Sequence, residues 1–242
     1  MKPVGNGIYV NSKWKFNKEV AKHFDVHIKK SIPLYEEGHK LIIDVISHYV
    51  LHHKTKKPQI ILDLGCSTGS LIYKISKNFS DIPILFYGLD LEPSMLDIAK
   101  KRKFSKNHKV HWISSKIEKF DFPFAFDICI SYYSLQFIPV QKRKYIVSFI
   151  YKKLYKKGFF LLFEKVKFKN PFENQINQYL IEKYKLSSGY TLEEIKNKEE
   201  SLKNVLIPLT SQKNFELLKQ AGFKKYFKIM QYSFFEGILA IK

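Results

Sequence analysis

The chain has 242 residues, of which 45% are hydrophobic, so it is long enough to bury the core of an α/β domain with a modest elaboration. Its 42 lysine and arginine residues against 22 acidic residues give a formal net charge of +20. No apolar run approaches the roughly 20 residues that span a bilayer and the first residues lack a signal-peptide core, so we expect a cytoplasmic protein without membrane association.

The first part of the chain, residues 12–57, is predicted to be helical. Apolar residues recur at helical spacing from Phe16 to Ile28, and Ser31-Ile32-Pro33 ends that helix. A second amphipathic segment over residues 41–51 precedes a lysine-rich linker at residues 54–57.

From residue 58 to residue 169, predicted strands and helices alternate. The strands cover residues 60–64, 84–89, 110–113, 127–131 and 159–163, and the helices cover 71–77, 94–101 and 142–154, with Ser94 as an N-cap. A helical cap is predicted at 170–205, and residues 206–242 hold a last helix (215–221) and two closing strands (226–229 and 234–241). The pattern predicts a single α/β domain with a doubly wound, mostly parallel sheet and a ligand at the carboxyl ends of its strands.

Residues 60–70 carry the main functional signal. A short apolar run at residues 60–64, which includes Asp63, leads into the loop Gly65-Cys66-Ser67-Thr68-Gly69. A helical pattern follows the loop. Such a loop brings backbone N–H groups to a ligand at a helix N-terminus, and Asp90, at the end of the next strand, is placed to accept both hydroxyls of a ribose. The sequence therefore predicts a ligand that contains an adenosine.

Three kinds of site compete for this loop. A dinucleotide site has a second glycine where Ser67 stands. The nucleophile elbow of α/β hydrolases, G-x-S-x-G, needs a later histidine, and only His108 and His111 follow Ser67. The third site is the S-adenosylmethionine loop of class I methyltransferases, in which one acid (Asp63) precedes the turn and a second (Asp90) ends the next strand. We favour this third site.

Composition limits the other partners. Cys66 and Cys129 fit neither a disulfide framework nor a metal site, as expected in a reducing compartment. The net charge raises the question of nucleic-acid binding, but only Arg102 and Arg143 are arginines, and arginine is the usual residue for bidentate phosphate contacts. We do not favour direct nucleic-acid binding and interpret the lysines as a solvated basic surface that reflects AT-biased coding.

Motifs outside the loop carry a closer resemblance. The matching stretches are residues 16–24, 31–35, 62–67, 135–137, 164–165, 189–190, 202, 204–205 and 221–223. On these motifs the chain resembles the carboxy-S-adenosylmethionine synthases, which have the Rossmann-like fold of class I methyltransferases, over nearly its whole length. The resemblance implies a homodimer that makes a carboxylated sulfonium from S-adenosylmethionine, with prephenate as carboxyl source. A partner enzyme uses that product to build 5-oxyacetyluridine at the tRNA wobble position.

The resemblance also implies which residues surround the adenosyl ligand. They are Tyr35, Gly65, Cys66, Ser67, Asp90, Leu91, Lys116, Ile117 and Tyr132. Two of them depart from the family, which has an aspartate suited to the adenine amino group at Lys116 and an asparagine at Tyr132.

A third departure concerns selectivity. The pair Lys198-Glu199 replaces a Lys-Arg pair whose arginine is expected to hold the added carboxylate of the product. A carboxylate at Glu199 would repel that group, and Lys198 could replace the arginine only if the helix turned by about 100°.

The chemistry of an S-adenosylmethionine site asks mainly for alignment and exclusion of water, because the sulfonium is already activated. Aromatic faces attract this cation, and Tyr35, Tyr132 and Tyr133 are candidates, with core packing as the alternative for Tyr133. Because of Glu199 we narrowly favour ordinary methyl transfer over the synthase reaction; we expect a small-molecule substrate, and the sequence does not identify the methyl acceptor. A binding protein without turnover is the third hypothesis.

Apolar positions such as Phe16, Phe24 and Leu180 suggest a homodimer through the N-terminal section and the cap.

Overall fold

The computed structural model describes residues 1–52 and 57–242, so the predicted linker at 54–57 lies, apart from Lys57, outside the described residues. The strands are β1 (Lys2–Pro3), β2 (Tyr9–Val10), β3 (Gln59–Leu64), β4 (Ile84–Asp90), β5 (His108–Ser114), β6 (Phe126–Tyr132), β7 (Leu154–Lys165), β8 (Lys225–Tyr232) and β9 (Phe235–Ile241). The helices are α1 (Lys18–Ser31), α2 (Tyr35–His52), α3 (Ser70–Asn78), α4 (Pro93–Ala99), α5 (Val140–Lys153), α6 (Pro171–Ser187), α7 (Leu192–Leu202) and α8 (Ser211–Ala221).

Seven strands form one sheet in the order β5-β4-β3-β6-β7-β9-β8. The first five strands of this order are parallel, and β9 runs antiparallel to both β7 and β8. The central strands are buried on both faces, which explains their nearly continuous apolar sequence. The predicted fold class, a doubly wound and mostly parallel α/β sheet, is confirmed.

Helices cover both faces of the sheet. One apolar cluster joins α2 and α3 to one face through side chains such as Ile46 and Ile72. A second joins α5 and α8 to the other face through Val147 and Leu218. A third, smaller cluster joins the N-terminal segment and α1 to Met95 of α4. This arrangement leaves the carboxyl ends of β3, β4, β6 and β7 below a cap that α1, α6 and α7 supply.

Several boundaries differ from the prediction for identifiable reasons. Strands β1 and β2 have two residues each, too few to show an alternating pattern. Helix α2 begins at Tyr35, six residues before the predicted segment. Ser94 is not an N-cap, because α4 starts at Pro93, a residue favoured in the first turn, and Glu92 takes the cap position. In the described part of the chain, no helix is long and apolar enough to cross a membrane.

Candidate functional site

The glycine loop joins β3 to α3 and is fixed by backbone contacts. Gly65 and Cys66 donate N–H hydrogen bonds to the Leu89 carbonyl at 2.7 and 3.0 Å, which ties the loop to the end of β4. Gly65 has φ +75°, and a Cβ there would collide with the side chain of Ser134, whose hydroxyl in turn donates to the Leu64 carbonyl. Packing against the β6 turn therefore requires this glycine, in addition to any close approach of a ligand.

Two carboxylates flank the loop. Asp90 accepts the Ser67 N–H at 2.8 Å on one oxygen and the Glu92 N–H at 2.9 Å on the other, so it holds the loop and the start of α4 together. Asp63 is 2% exposed, and its Oδ1 has no hydrogen-bond partner among residues 1–52 and 57–242. Burial and the charge of Asp90 raise the pKa of Asp63 to about 7. An acceptor of this kind suits a ligand that brings a donor.

The loop opens into one large cavity, about 1180 Å³ in volume. Every site residue named from the sequence lines it: Tyr35, Gly65, Cys66, Ser67, Asp90, Leu91, Lys116, Ile117, Tyr132, Lys198 and Glu199. Asp63 and Tyr133 line it as well. The cavity thus runs from the ends of β3, β4 and β5, where the adenosyl ligand is predicted, to the ends of β6 and β7. The roles of these residues in binding a ligand stay a prediction.

Aromatic rings form the wall next to β6. The rings of Tyr35, His39 and Tyr132 lie 4.7–5.0 Å apart, and Tyr132 donates its hydroxyl to the Tyr35 carbonyl at 2.6 Å. Tyr133 is 5% exposed, has φ +58° and packs on Phe163 and Phe235. Electron-rich ring faces of this kind suit a sulfonium cation. These rings fit the predicted ligand, and the ring that would contact the cation stays unassigned.

Two histidines line the cavity that sequence reasoning did not assign to the site. His39 Nδ1 lies 3.0 Å from Lys74 Nζ, and burial lowers the pKa of His39 to about 3. His27 contacts the Lys198 amine, and burial together with Lys198 lowers the pKa of His27 to about 2. Both imidazoles are therefore neutral at pH 7. Their positions on the buried faces of α1 and α2 were the only available signal.

A clamp holds the cap against the glycine loop. Asp25 of α1 accepts hydrogen bonds from Thr68 Oγ1 at 2.5 Å and from Arg102 Nη2 at 2.7 Å. Arg102 Nε also donates to the Thr68 carbonyl at 2.7 Å. Three segments that are distant in sequence are thereby joined at the cavity. No sequence pattern predicts this contact, because neither arginine belongs to a motif.

Basic residues gather at the other end of the cavity. Lys165 ends β7, Lys185 lies in α6, and Lys198 and Glu199 are neighbours in α7. Glu199 Oε1 lies 3.3 Å from Lys185 Nζ, and both Glu199 oxygens accept from Gln178 Nε2 at 3.1 and 3.2 Å. Glu199 is therefore paired with Lys185, and no ion pair joins it to Lys165 or Lys198 in the described part of the chain.

Other chemistries find little support in the described residues. Ser67 Oγ contacts the Met95 sulfur at 3.5 Å, and no described hydrogen bond joins it to an imidazole, so the nucleophile-elbow interpretation lacks its base. Cys66 and Cys129 are buried and unbridged. Residues 1–52 and 57–242 hold no group of three histidine, cysteine or carboxylate side chains that could bind a metal ion.

Comparison with known proteins agrees with this geometry. Residues 61–158 match a family model described as a methyltransferase domain. Carboxy-S-adenosyl-L-methionine synthases are similar at full length: that of Nautilia profundicola is 34% identical over 96% of both chains, and that of Campylobacter lari is 32% identical over 96% of both. The synthase of Staphylococcus epidermidis is 34% identical over 95% of this chain and 97% of its own.

Solved structures show the fold. A plantazolicin methyltransferase in complex with SAH superposes with a TM-score of 0.65 at 16% identity and covers 93% of this chain and 95% of its own. The magnesium protoporphyrin IX methyltransferase of Synechocystis, also with bound SAH, gives a TM-score of 0.56 at 13% identity over 97% of this chain and 90% of its own. The Rossmann-like methyltransferase fold inferred from the sequence is confirmed.

Proposed function

The chain belongs to the carboxy-S-adenosyl-L-methionine synthase family, and we propose that it is a transferase that replaces one hydrogen of the S-methyl group of S-adenosylmethionine with a carboxyl group. Family membership at 31–34% identity over about 95% of the chain supports a transferase that depends on this ligand. The choice between carboxylation and ordinary methyl transfer depends on the basic end of the cavity.

The observation that carries the proposal is the pairing of Glu199. The presence of a glutamate at position 199 is the reason to favour ordinary methyl transfer, because an unpaired carboxylate in this part of the cavity would repel the carboxylate of the product. In the structure its charge is balanced by Lys185 at 3.3 Å, while the amine of Lys165 lies at the same end of the cavity without an ion pair in the described part of the chain. The end of the cavity beyond the aromatic wall therefore has a positive balance, which favours an anionic group there.

The residues fit S-adenosylmethionine along the rest of the cavity. Asp90 would hold the ribose, because each of its oxygens accepts one backbone N–H and keeps capacity for a hydroxyl. Asp63 Oδ1, which has no hydrogen-bond partner among the described residues, suits the amino group of the ligand, and Tyr35 and Tyr132 offer ring faces to the cation. When bound, the ligand supplies the activated sulfonium. The chain contributes orientation and a cavity that excludes water.

Mass spectrometry of the ligand that co-purifies with the protein tests the proposal, since the two sulfoniums differ in mass. We expect the carboxylated form, and we expect the purified protein to make it from S-adenosylmethionine and prephenate. Methylation of a separate acceptor, with only the ordinary sulfonium bound, would instead support the methyltransferase hypothesis. The identity of Glu199, taken without its ion pair, favours that hypothesis. Stoichiometric binding without any product would support the hypothesis of a binding protein.

We propose further that the chain forms a homodimer through α6. Phe16 and Phe24, which suggested this interface from the sequence, pack with Trp14 inside their own chain and are not available. Helix α6 instead exposes one apolar face, made of Phe172, Ile176, Tyr179 and Leu180. We expect sedimentation to show a dimer at micromolar concentration and a monomer after Ile176→Glu. A wild-type monomer would contradict the proposal.

The resemblance suggests a cellular role, which we include in the proposal. The product would serve a partner enzyme that modifies the tRNA wobble uridine in the cytoplasm, and the chain itself would act as one domain on small molecules. A tRNA from a strain that lacks the chain should then lose 5-oxyacetyluridine, and its retention would contradict this role.

A further inference from the structure

Three lysines at one end of the cavity raise the question of which one recognises the ligand. The resemblance implies an arginine that would hold the added carboxylate, and this chain has Glu199 at the matching position. Lys165, Lys185 and Lys198 come from β7, α6 and α7, and each lines the same cavity. Their other contacts separate them.

Lys185 already has a counter-ion. Its Nζ lies 3.3 Å from Glu199 Oε1, and the exposed fractions of the two side chains are 11% and 36%. A second anion at Lys185 would compete with a carboxylate that is held in the protein. We therefore do not assign the ligand to Lys185.

Lys198 is enclosed by neutral groups. Its Nζ donates to Ser31 Oγ at 2.8 Å, contacts His27 Nε2 and lies 5.1 Å from the centre of the Trp14 ring. Burial, with the charges of Lys185 and Lys165, lowers the pKa of Lys198 well below its usual range. Its hydrogen bonds are thus used to hold α7 against α1, and its charge is disfavoured.

Lys165 is different from both. It is partly buried, and within residues 1–52 and 57–242 its ammonium group has no hydrogen bond and no ion pair. The one described contact of its ammonium group is with the Phe234 ring, whose centre is 5.3 Å from Nζ. A cation that is removed from water without a counter-ion is unfavourable, and a ligand carboxylate would relieve this cost.

The topology places Lys165 where such a carboxylate would lie. Asp90 marks the ribose at the end of β4, and Gly65 marks the loop at the end of β3. Strands β6 and β7 follow next in the sheet, so Lys165, the last residue of β7, lies on the far side of the aromatic wall from the ribose. A group attached to the sulfonium would point to this side.

We propose that Lys165 holds the carboxylate of the carboxylated sulfonium in this chain, in place of the arginine that Glu199 replaces. The inference deepens the proposed function and rests on it. Lys165 is then the residue that distinguishes the carboxylated from the ordinary ligand, while Lys185 neutralises Glu199 and Lys198 supports the helix packing.

A competition titration of S-adenosylmethionine against its carboxylated form tests this assignment. The proteins are the wild type, Lys165→Gln, Lys165→Arg and the control Lys167→Gln, which removes an exposed lysine two residues away that does not line the cavity. We expect the wild type, the arginine variant and the control to prefer the carboxylated ligand. Lys165→Gln should lower this preference at least tenfold, or about 1.4 kcal/mol, and leave the affinity for S-adenosylmethionine unchanged.

The outcomes separate the inference from the function on which it rests. If the wild type makes the carboxylated product and Lys165→Gln keeps the wild-type preference, the assignment is overturned and the function stands. Equal loss of both ligands in Lys165→Gln also overturns the assignment, because it indicates a structural role. If the wild type neither makes nor prefers the carboxylated ligand, the proposed function fails and the assignment fails with it.

Discussion

Replacement of Asp90 by alanine gives the most direct test of the adenosyl site. The carboxylate accepts the Ser67 N–H at 2.8 Å and the Glu92 N–H at 2.9 Å, one on each oxygen. A carboxylate has about four lone-pair sites, so roughly two remain for the ribose hydroxyls. A hydrogen bond to a charged group contributes about 1.5 to 3 kcal/mol. Asp90→Ala should therefore weaken S-adenosylmethionine binding roughly 10- to 150-fold.

Isothermal titration calorimetry measures this loss, with Asp97→Ala as the control. Asp97 lies on the adjacent helix α4 and is largely exposed, and its carboxylate has one ion pair in the described part of the chain, with Lys100 at 3.6 Å. Its removal should therefore not change the affinity. Denaturant unfolding without ligand shows whether Asp90→Ala also loosens the loop. An unchanged affinity in Asp90→Ala would refute the assignment of Asp90 to the ribose.

Three further predictions concern the cavity walls. Asp25→Ala, which removes the acceptor shared by Thr68 and Arg102, should weaken S-adenosylmethionine binding about tenfold in a calorimetric titration by releasing α1 from the loop. Tyr132→Phe should lower the free energy of unfolding by about 1 kcal/mol in a denaturant titration, because the Tyr35 carbonyl loses a 2.6 Å donor. The preference for the carboxylated ligand should fall as pH rises through about 8. Burial and the charge of Lys185 lower the pKa of Lys165 to about 8, although Glu199 acts in the opposite direction. Only the protonated amine attracts a carboxylate. Lys198 also faces this amine, and competition titrations from pH 6.5 to pH 9.5 should show the fall in the wild type and not in Lys165→Arg.

The features that the sequence predicts are those that depend on neighbouring residues. The apolar run before Gly65, the helix after it and the acid at the end of β4 lie within about 30 residues, and each has a distinctive local pattern. All these elements are present in the structure within a few residues of the prediction. Site residues at the ends of β3 and β4 could be named for the same reason, because parallel strands bring their carboxyl ends to one edge.

The remaining features depend on contacts between distant segments. Trp14 donates its backbone N–H to the Ser201 carbonyl at 2.8 Å, and Asn197 donates its side-chain amide to the Pro3 carbonyl at 3.0 Å. The N-terminus therefore packs on α7 across as many as 194 residues. No local pattern indicates such a contact. The pairing of Glu199 likewise depends on how α6 packs against α7. From sequence alone, Glu199 could only be judged by its identity.

The last prediction concerns the ion pair between Glu199 and Lys185. This pair is the reason that the identity of residue 199 alone is a poor guide to function. Glu199→Arg would place two cations at the position where 3.3 Å now separates opposite charges, and Lys185 is mostly buried. We expect Glu199→Arg to lower the free energy of unfolding by about 1 to 3 kcal/mol, a range reduced from that of a fully buried pair because Glu199 is partly exposed. The double variant Glu199→Arg with Lys185→Glu should recover most of this loss, since it restores a pair of opposite charges. Denaturant unfolding of the wild type, both single variants and the double variant gives the coupling energy, and additive effects would show that the two side chains do not interact.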